Sequence, residues 1–135
     1  MILVDSSVWI ANLRNQLTPP VVLLLELAGR EKLIVGDLIM LEVLQGARDD
    51  VHAARIEHNL RQNEVVSIMS DNIAVQAARN YRFLRARGIT VRKTIDVIIG
   101  TFCIENRHRL LHDDRDYDAM ESLLGLSVVR DSATS

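Results

Sequence analysis

Short apolar runs alternate with longer amphipathic stretches along the whole chain. Ile2-Leu3-Val4 is an unbroken apolar run, the pattern of a short strand buried on both faces. Ser6 and Ser7 can cap a helix running through Trp9, Ile10 and Leu13. Pro19-Pro20 opens a second helix, Val21 to Ala28, with Gly29 as its stop. Leu33-Ile34-Val35 predicts the second strand, and Gly36-Asp37 leads into a helix from Leu38 to about Gln45, closed by Gly46. His52 to Arg61 is helical, with Ile56 and Leu60 on one face, and Val65 to Ile68 predicts a third strand. Ser70-Asp71 starts a long helix whose buried face is Ile73, Ala77, Tyr81 and Leu84, with Gly88 as its end. Thr94 is the expected cap of a helix that is apolar nearly all round from Val97 to Ile104, and so central. Leu110-Leu111 is a fourth strand and Ser127-Val128-Val129 a possible fifth. Strands alternating with helices predict an α/β fold, a mostly parallel central sheet of four to five strands flanked by helices.

Length and composition narrow this picture only a little. A chain of 135 residues fits one domain, expected over 1–130, with a flexible tail at 131–135. The lone Cys103 sits among Phe102 and Ile104, which predicts a buried, inert thiol and fits a reducing cytoplasm. No basic region precedes the first apolar run, and no run is long enough to span a membrane. The formal net charge of −2 is uninformative, but its distribution is not. Fourteen of the sixteen basic residues are Arg, whose planar fork suits phosphate. Arg79, Arg82, Arg85, Arg87, Arg92 and Lys93 follow one another with no acid between Asp71 and Asp96. A solvated helix face explains Arg79 and Arg85 as well as phosphate binding does. Arg92 and Lys93, nearest Asp96, are the better candidates for substrate contact.

Four acids stand where an acid is expensive. Asp5 ends the first apolar run, Glu42 interrupts Leu38 to Leu44, Asp96 lies inside Ile95 to Ile99, and Asp114 follows Leu110-Leu111-His112-Asp113. An ionised carboxylate in apolar surroundings must find a partner or neutralise. Singly, each has an ordinary explanation: Asp5 as a helix cap, Asp96 and Asp114 as complements to helix dipoles, Glu42 as the polar stripe of a surface helix. Jointly, all four fall near the carboxyl ends of strands, where open α/β sheets bind ligands. Gathered carboxylates repel and raise one another's pKa unless a cation is present, and an all-oxygen set suits Mg²⁺ or Mn²⁺. His52, His58, His108 and His112 are too scattered for a zinc site. A hard divalent ion among carboxylates suits phosphodiester hydrolysis. Ser7, beside Asp5, is a candidate for a substrate phosphate, with helix capping as its plainer role.

Val4-Asp5-Ser6-Ser7-Val8-Trp9-Ile10, the helical Glu42, Arg92 to Gly100 and Leu110 to Asp118 together resemble a PIN-domain ribonuclease, and more narrowly the VapC toxins of bacterial type II toxin–antitoxin systems. The resemblance runs from Ile2 to about Val129. It implies catalytic acids at Asp5, Glu42, Asp96 and Asp114, with Asp5, Asp96, Asp114 and Asp116 holding Mg²⁺ or Mn²⁺. Tyr117 stands where the family usually has Phe, a departure expected to leave catalysis untouched. The resemblance further implies cleavage of transfer, ribosomal or messenger RNA, arrest of translation, a cytoplasmic homodimer and a VapB-type antitoxin. That antitoxin lies in an apolar groove, here around Trp9 and Leu13 and from Leu38 to Leu60. Promoter DNA is bound only through it. Two other classes compete: a non-catalytic binding module of the same fold, and a phosphate-accepting receiver domain. The intact acids weigh against the first. Ser6 and Ser7 beside Asp5, and the absence of Lys after Lys93, weigh against the second.

Overall fold

The computed structural model describes residues 1–130, and the tail expected at 131–135 lies outside them. In chain order the elements are β1 (Ile2–Val4), α1 (Ser6–Leu13), α2 (Pro19–Leu27), β2 (Leu33–Gly36), α3 (Asp37–Leu44) and α4 (Asp50–Leu60). There follow β3 (Glu64–Val66), α5 (Asp71–Ala86), α6 (Thr94–Asn106), β4 (Arg109–Leu111), a 3₁₀ turn Arg115–Tyr117 and α7 (Asp118–Leu124). The strands form one parallel sheet in the order β3-β2-β1-β4. Ile2 lies between Leu33 and Arg109. This is the α/β architecture that the alternating pattern predicts.

Alternation along the strands separates two cores. Leu3, Ile34 and Leu110 pack with apolar residues of α3 to α7, including Ile39, Ile56, Leu84, Ile99 and Met120. Ile2, Val4, Leu33 and Leu111 pack on α1 and α2 through Val8, Ala11, Val21 and Leu24. Burying each large aliphatic side chain contributes about 1.5–3 kcal/mol, which is why strands of three or four residues suffice. Gly100 lets α6 and α7 meet closely, since a Cβ there would lie 2.4 Å from the sulfur of the fully buried Met120. Asn80 of α5 donates to the buried Thr101 Oγ1 of α6 at 2.9 Å. Among the described residues, no helix is long and apolar enough to cross a membrane.

Four local expectations need correction. The cap of α1 is Asp5, whose carboxylate accepts from the Ser7 N–H, while Ser6 and Ser7 lie inside the helix. Lys93, not Thr94, holds the N-cap position of α6, and its side chain makes no capping bond. β3 stops at Val66 because the chain turns away: the Ile68 N–H donates to Asp37 Oδ1 at 3.0 Å, and the Ile68 side chain packs over Gly36. The fifth strand shrinks to one parallel bridge between Leu110 and Val128. Arg109 and Leu111 turn their backbone groups to the chain around β1, leaving Leu110 to hold the outer edge through Ser127 and Val129.

The order of strands decides where a site can form. The chain moves outward from β1 to β2 and β3, then returns to the other side of β1 for β4. The reversal lies between β1 and β4, and a parallel sheet opens its crevice at such a point, beyond the carboxyl ends of the strands.

Candidate metal centre

Asp5 and Asp114 leave the two strands that flank this crevice. Asp5 follows β1 directly, and its N–H extends the ladder by donating to the Leu111 carbonyl of β4 at 2.9 Å. Its carboxylate is buried and held at both oxygens. Oδ2 accepts from the Ser7 N–H at 3.1 Å and the Ser7 hydroxyl at 2.6 Å, and Oδ1 accepts from the Tyr117 hydroxyl at 2.9 Å. Asp114 caps the 3₁₀ turn, its Oδ1 accepting from the Asp116 N–H at 2.9 Å. That turn sets Asp114, Asp116 and Tyr117 on one short piece of backbone.

Asp96 enters from α6, in its first turn. Carboxylate oxygens of Asp96, Asp114 and Asp116 lie within 4.8 Å of one another, a spacing that one cation can bridge. Asp96 is 4% exposed, and its Oδ2 is buried with no hydrogen-bond partner; Asp116 Oδ2 is likewise unpartnered. Buried acceptors are rarely left so. Burial, then the charges of Asp5 and Asp114, push the Asp96 carboxyl up to about 7. Unpartnered buried oxygens, an oxygen-only donor set and mutual repulsion are all relieved by a hard divalent cation, so these residues fit one.

Glu42 stands one step outside the trio. It is half-buried on α3, and its Oε1 accepts from the Ser6 hydroxyl at 3.1 Å. Burial raises its pKa, the Ser6 bond opposes that, and the charge of Asp5 adds to it. Asp5 is also outside the trio and joins it through Tyr117, whose hydroxyl reaches Asp96 Oδ1 at 3.5 Å. Tyr117, expected to stand in for Phe without effect on catalysis, brings to the cluster a hydroxyl that Phe would not have. It is fully buried, and its hydroxyl lies 2.9 Å from Asp5 Oδ1 and 3.5 Å from Asp96 Oδ1.

The candidate substrate contacts divide. Arg92 is exposed and donates to Asp116 Oδ1 at 3.1 Å, so it sits on the rim of the cluster. Lys93 is exposed, and its charge favours ionised Asp96 and Glu42. Ser7 has its hydroxyl proton committed to Asp5 and accepts from the Asp113 N–H at 3.1 Å, stitching α1 to the segment after β4. Arg79, Arg82 and Arg85 are exposed along α5, and Arg87, exposed at its C-cap, stacks on Phe83 at 3.4 Å from the ring centroid. Sequence reasoning missed Ser6 and Tyr117 as partners of the acids. The only signal was a hydroxyl beside a candidate acid in each case. Away from this end, a cleft of about 290 Å³ between α1, α3 and α4 is lined by Ile10, Leu13, Val43 and Ile56, with Arg14, Arg48 and His52 beside them.

Comparison with known proteins bears on what this arrangement does. The PIN domain family pattern matches residues 2–123. The chain is 30% identical over 129 residues to Ribonuclease VapC11 of Mycobacterium tuberculosis, covering 93% of this chain and 96% of that one. It has the same identity and coverage with the VapC ribonuclease Mb1587 of Mycobacterium bovis. Among solved structures, VapBC2 from Rickettsia felis bound to a DNA fragment from its promoter superimposes with a TM-score of 0.76 at 13% identity, over 96% of this chain and 98% of that one. VapBC-1 from nontypeable Haemophilus influenzae gives 0.73 at 16% identity, over 96% and 97%. At these identities the structural matches speak to the fold alone.

Proposed function

Because the chain belongs to the PIN-domain family, we propose that it is a VapC-type toxin: a metal-dependent endoribonuclease that hydrolyses RNA phosphodiester bonds and is neutralised by a VapB-type antitoxin. The observation that carries the reading is the trio Asp96, Asp114 and Asp116 within 4.8 Å at the sheet reversal, with buried oxygens lacking partners. We assign the holding of Mg²⁺ or Mn²⁺ to Asp5, Asp96, Asp114 and Asp116, with Glu42 beside them. When bound, such an ion neutralises charge developing on a phosphate and makes a water more acidic.

The chain's own groups do the rest. Without a cation, Asp96 holds a proton near neutral pH, which limits the repulsion among the acids. Arg92 commits one guanidinium nitrogen to Asp116 and keeps other donors for an RNA phosphate at the rim. Lys93 and the arginines of α5 extend a positive edge that draws the RNA backbone toward the acids. Ser7, which also binds Asp5, accepts from the Asp113 N–H and so ties the segment leading to Asp114 to the start of α1.

The test is cleavage of a structured RNA by purified protein in Mg²⁺ or Mn²⁺. Asp96→Asn should keep the fold and lose more than about a hundredfold in rate, since even outer-shell partners of a metal contribute 10–100-fold. Cleavage by Asp96→Asn at the wild-type rate would overturn the assignment. A homodimer and an antitoxin seated in the α1/α3/α4 cleft are part of the same proposal. Solved structures of the same fold named as VapBC complexes support an antitoxin partner, while its seat in that cleft is part of the proposal. Sedimentation with and without the antitoxin reads both.

A further inference from the structure

The side chain that links two of the acids at this end of the molecule is not itself an acid. Tyr117 is fully buried, its ring lies 4.8 Å from that of His112, and its hydroxyl is placed between Asp5 and Asp96. A phenol has one proton to donate. Here that proton is closest to Asp5 Oδ1, at 2.9 Å, with Asp96 Oδ1 at the limit of bonding distance, 3.5 Å. Its own N–H donates to the Asp114 carbonyl at 3.2 Å, so the same residue is fixed to the turn carrying Asp114 and Asp116. The side chain links Asp5 to Asp96, and the backbone of the same residue fixes that link to the turn carrying Asp114 and Asp116. At Asp96 the hydroxyl reaches Oδ1 and leaves Oδ2, the oxygen without a partner.

We infer that the Tyr117 hydroxyl is a positioning group for the divalent-cation site, holding Asp96 beside Asp5 so that the free Asp96 Oδ2 is set for the ion. This rests on the metal-dependent reading above. Phe would fill the same space and offer no donor. Among the described residues Asp5 would keep its Ser7 tether alone, and Asp96 would lose its one side-chain hydrogen-bond contact, the hydroxyl at 3.5 Å. Groups that orient metal ligands typically govern affinity by 10–100-fold.

The experiment measures Mn²⁺ binding by calorimetry on the full chain. The variants are wild type, Tyr117→Phe, Tyr117→4-aminophenylalanine and Asp96→Asn, each checked for folding by circular dichroism. Tyr117→Phe should bind Mn²⁺ about 10–100-fold more weakly at unchanged stoichiometry. Tyr117→4-aminophenylalanine, which restores a donor, should recover most of the affinity. A merely structural role would lower the bound fraction and leave the dissociation constant where it was. Should Tyr117→Phe not fold, 4-aminophenylalanine against 4-methylphenylalanine makes the same comparison in side chains of similar size. Equal affinity within either pair overturns the inference. If the wild type binds Mn²⁺, Asp96→Asn does not, and Tyr117→Phe matches the wild type, the inference fails alone. If the wild type shows no binding, the metal-dependent reading falls with it.

Discussion

Asp96 has a measurable cost in the metal-free protein. Its folded pKa is raised to about 7, chiefly by burial, whereas an unfolded Asp titrates near 3.9. Between these values the native state binds the extra proton, so this residue's contribution to stability falls as pH rises from about 4 to about 7 and is flat above. His108 and His112, both held below the usual histidine range by burial, act in the opposite direction below about 6.5. The cleanest measurement is therefore a difference. Melted without metal, Asp96→Asn should gain on the wild type steadily across that window and keep a constant advantage above pH 7. A gap independent of pH would show that Asp96 is not the group that titrates. At this scale the sequence exposed Asp5, Glu42, Asp96 and Asp114, because an acid inside an apolar run is visible in one dimension. It hid the hydroxyls that hold them. Ser6 reaches Glu42 across 36 positions and Tyr117 reaches Asp5 across 112, distances over which no local pattern carries information.

Helix α6 carries Asp96 at one end and is pinned in the middle. Gly100→Ala would ordinarily help a helix by about 1 kcal/mol. Here the added Cβ meets the sulfur of Met120, which has no solvent to move into. Overpacking costs about 1–3 kcal/mol, so Gly100→Ala should lower the chemical-denaturation midpoint. Gly100→Ala with Met120→Ala should relieve the clash, at the cost of a cavity. On α5, exchanging Arg79, Arg82 and Arg85 for Gln should weaken RNA binding and flatten its dependence on salt by roughly one counterion for each phosphate no longer neutralised. An unchanged slope would return these residues to the role of a solvated face. Element types were legible because the periods are clear: every expected helix and the four principal strands are present. The ends were less so. Val65 to Ile68 reads as one strand, but Asp37 takes the Ile68 N–H, a competition between side chain and ladder that the local sequence does not reveal.

At the scale of the molecule, a cation that binds only the folded state must raise its melting point. Mn²⁺ at a hundredfold excess over its dissociation constant should add about 2.7 kcal/mol, with the shift abolished in Asp96→Asn and reversed by chelation. A PIN-fold protein that had lost its ion would melt at one temperature throughout. The parallel sheet was foreseeable from alternation, but its order was not, since nothing along the chain says that β4 returns to the far side of β1. That return also orders events in time. The first acid is made at residue 5 and the last at residues 114 and 116, and the strand that brings them together is β4, paired to β1 across more than a hundred residues. Such long-range pairing forms late. A ribosome making this chain therefore holds an incomplete set of acids until β4 and the turn after it have been made, and a product released before residue 109 lacks both. If those acids hold the ion as proposed, the nascent chain is harmless to the RNA around it until β4 has been made and has paired with β1.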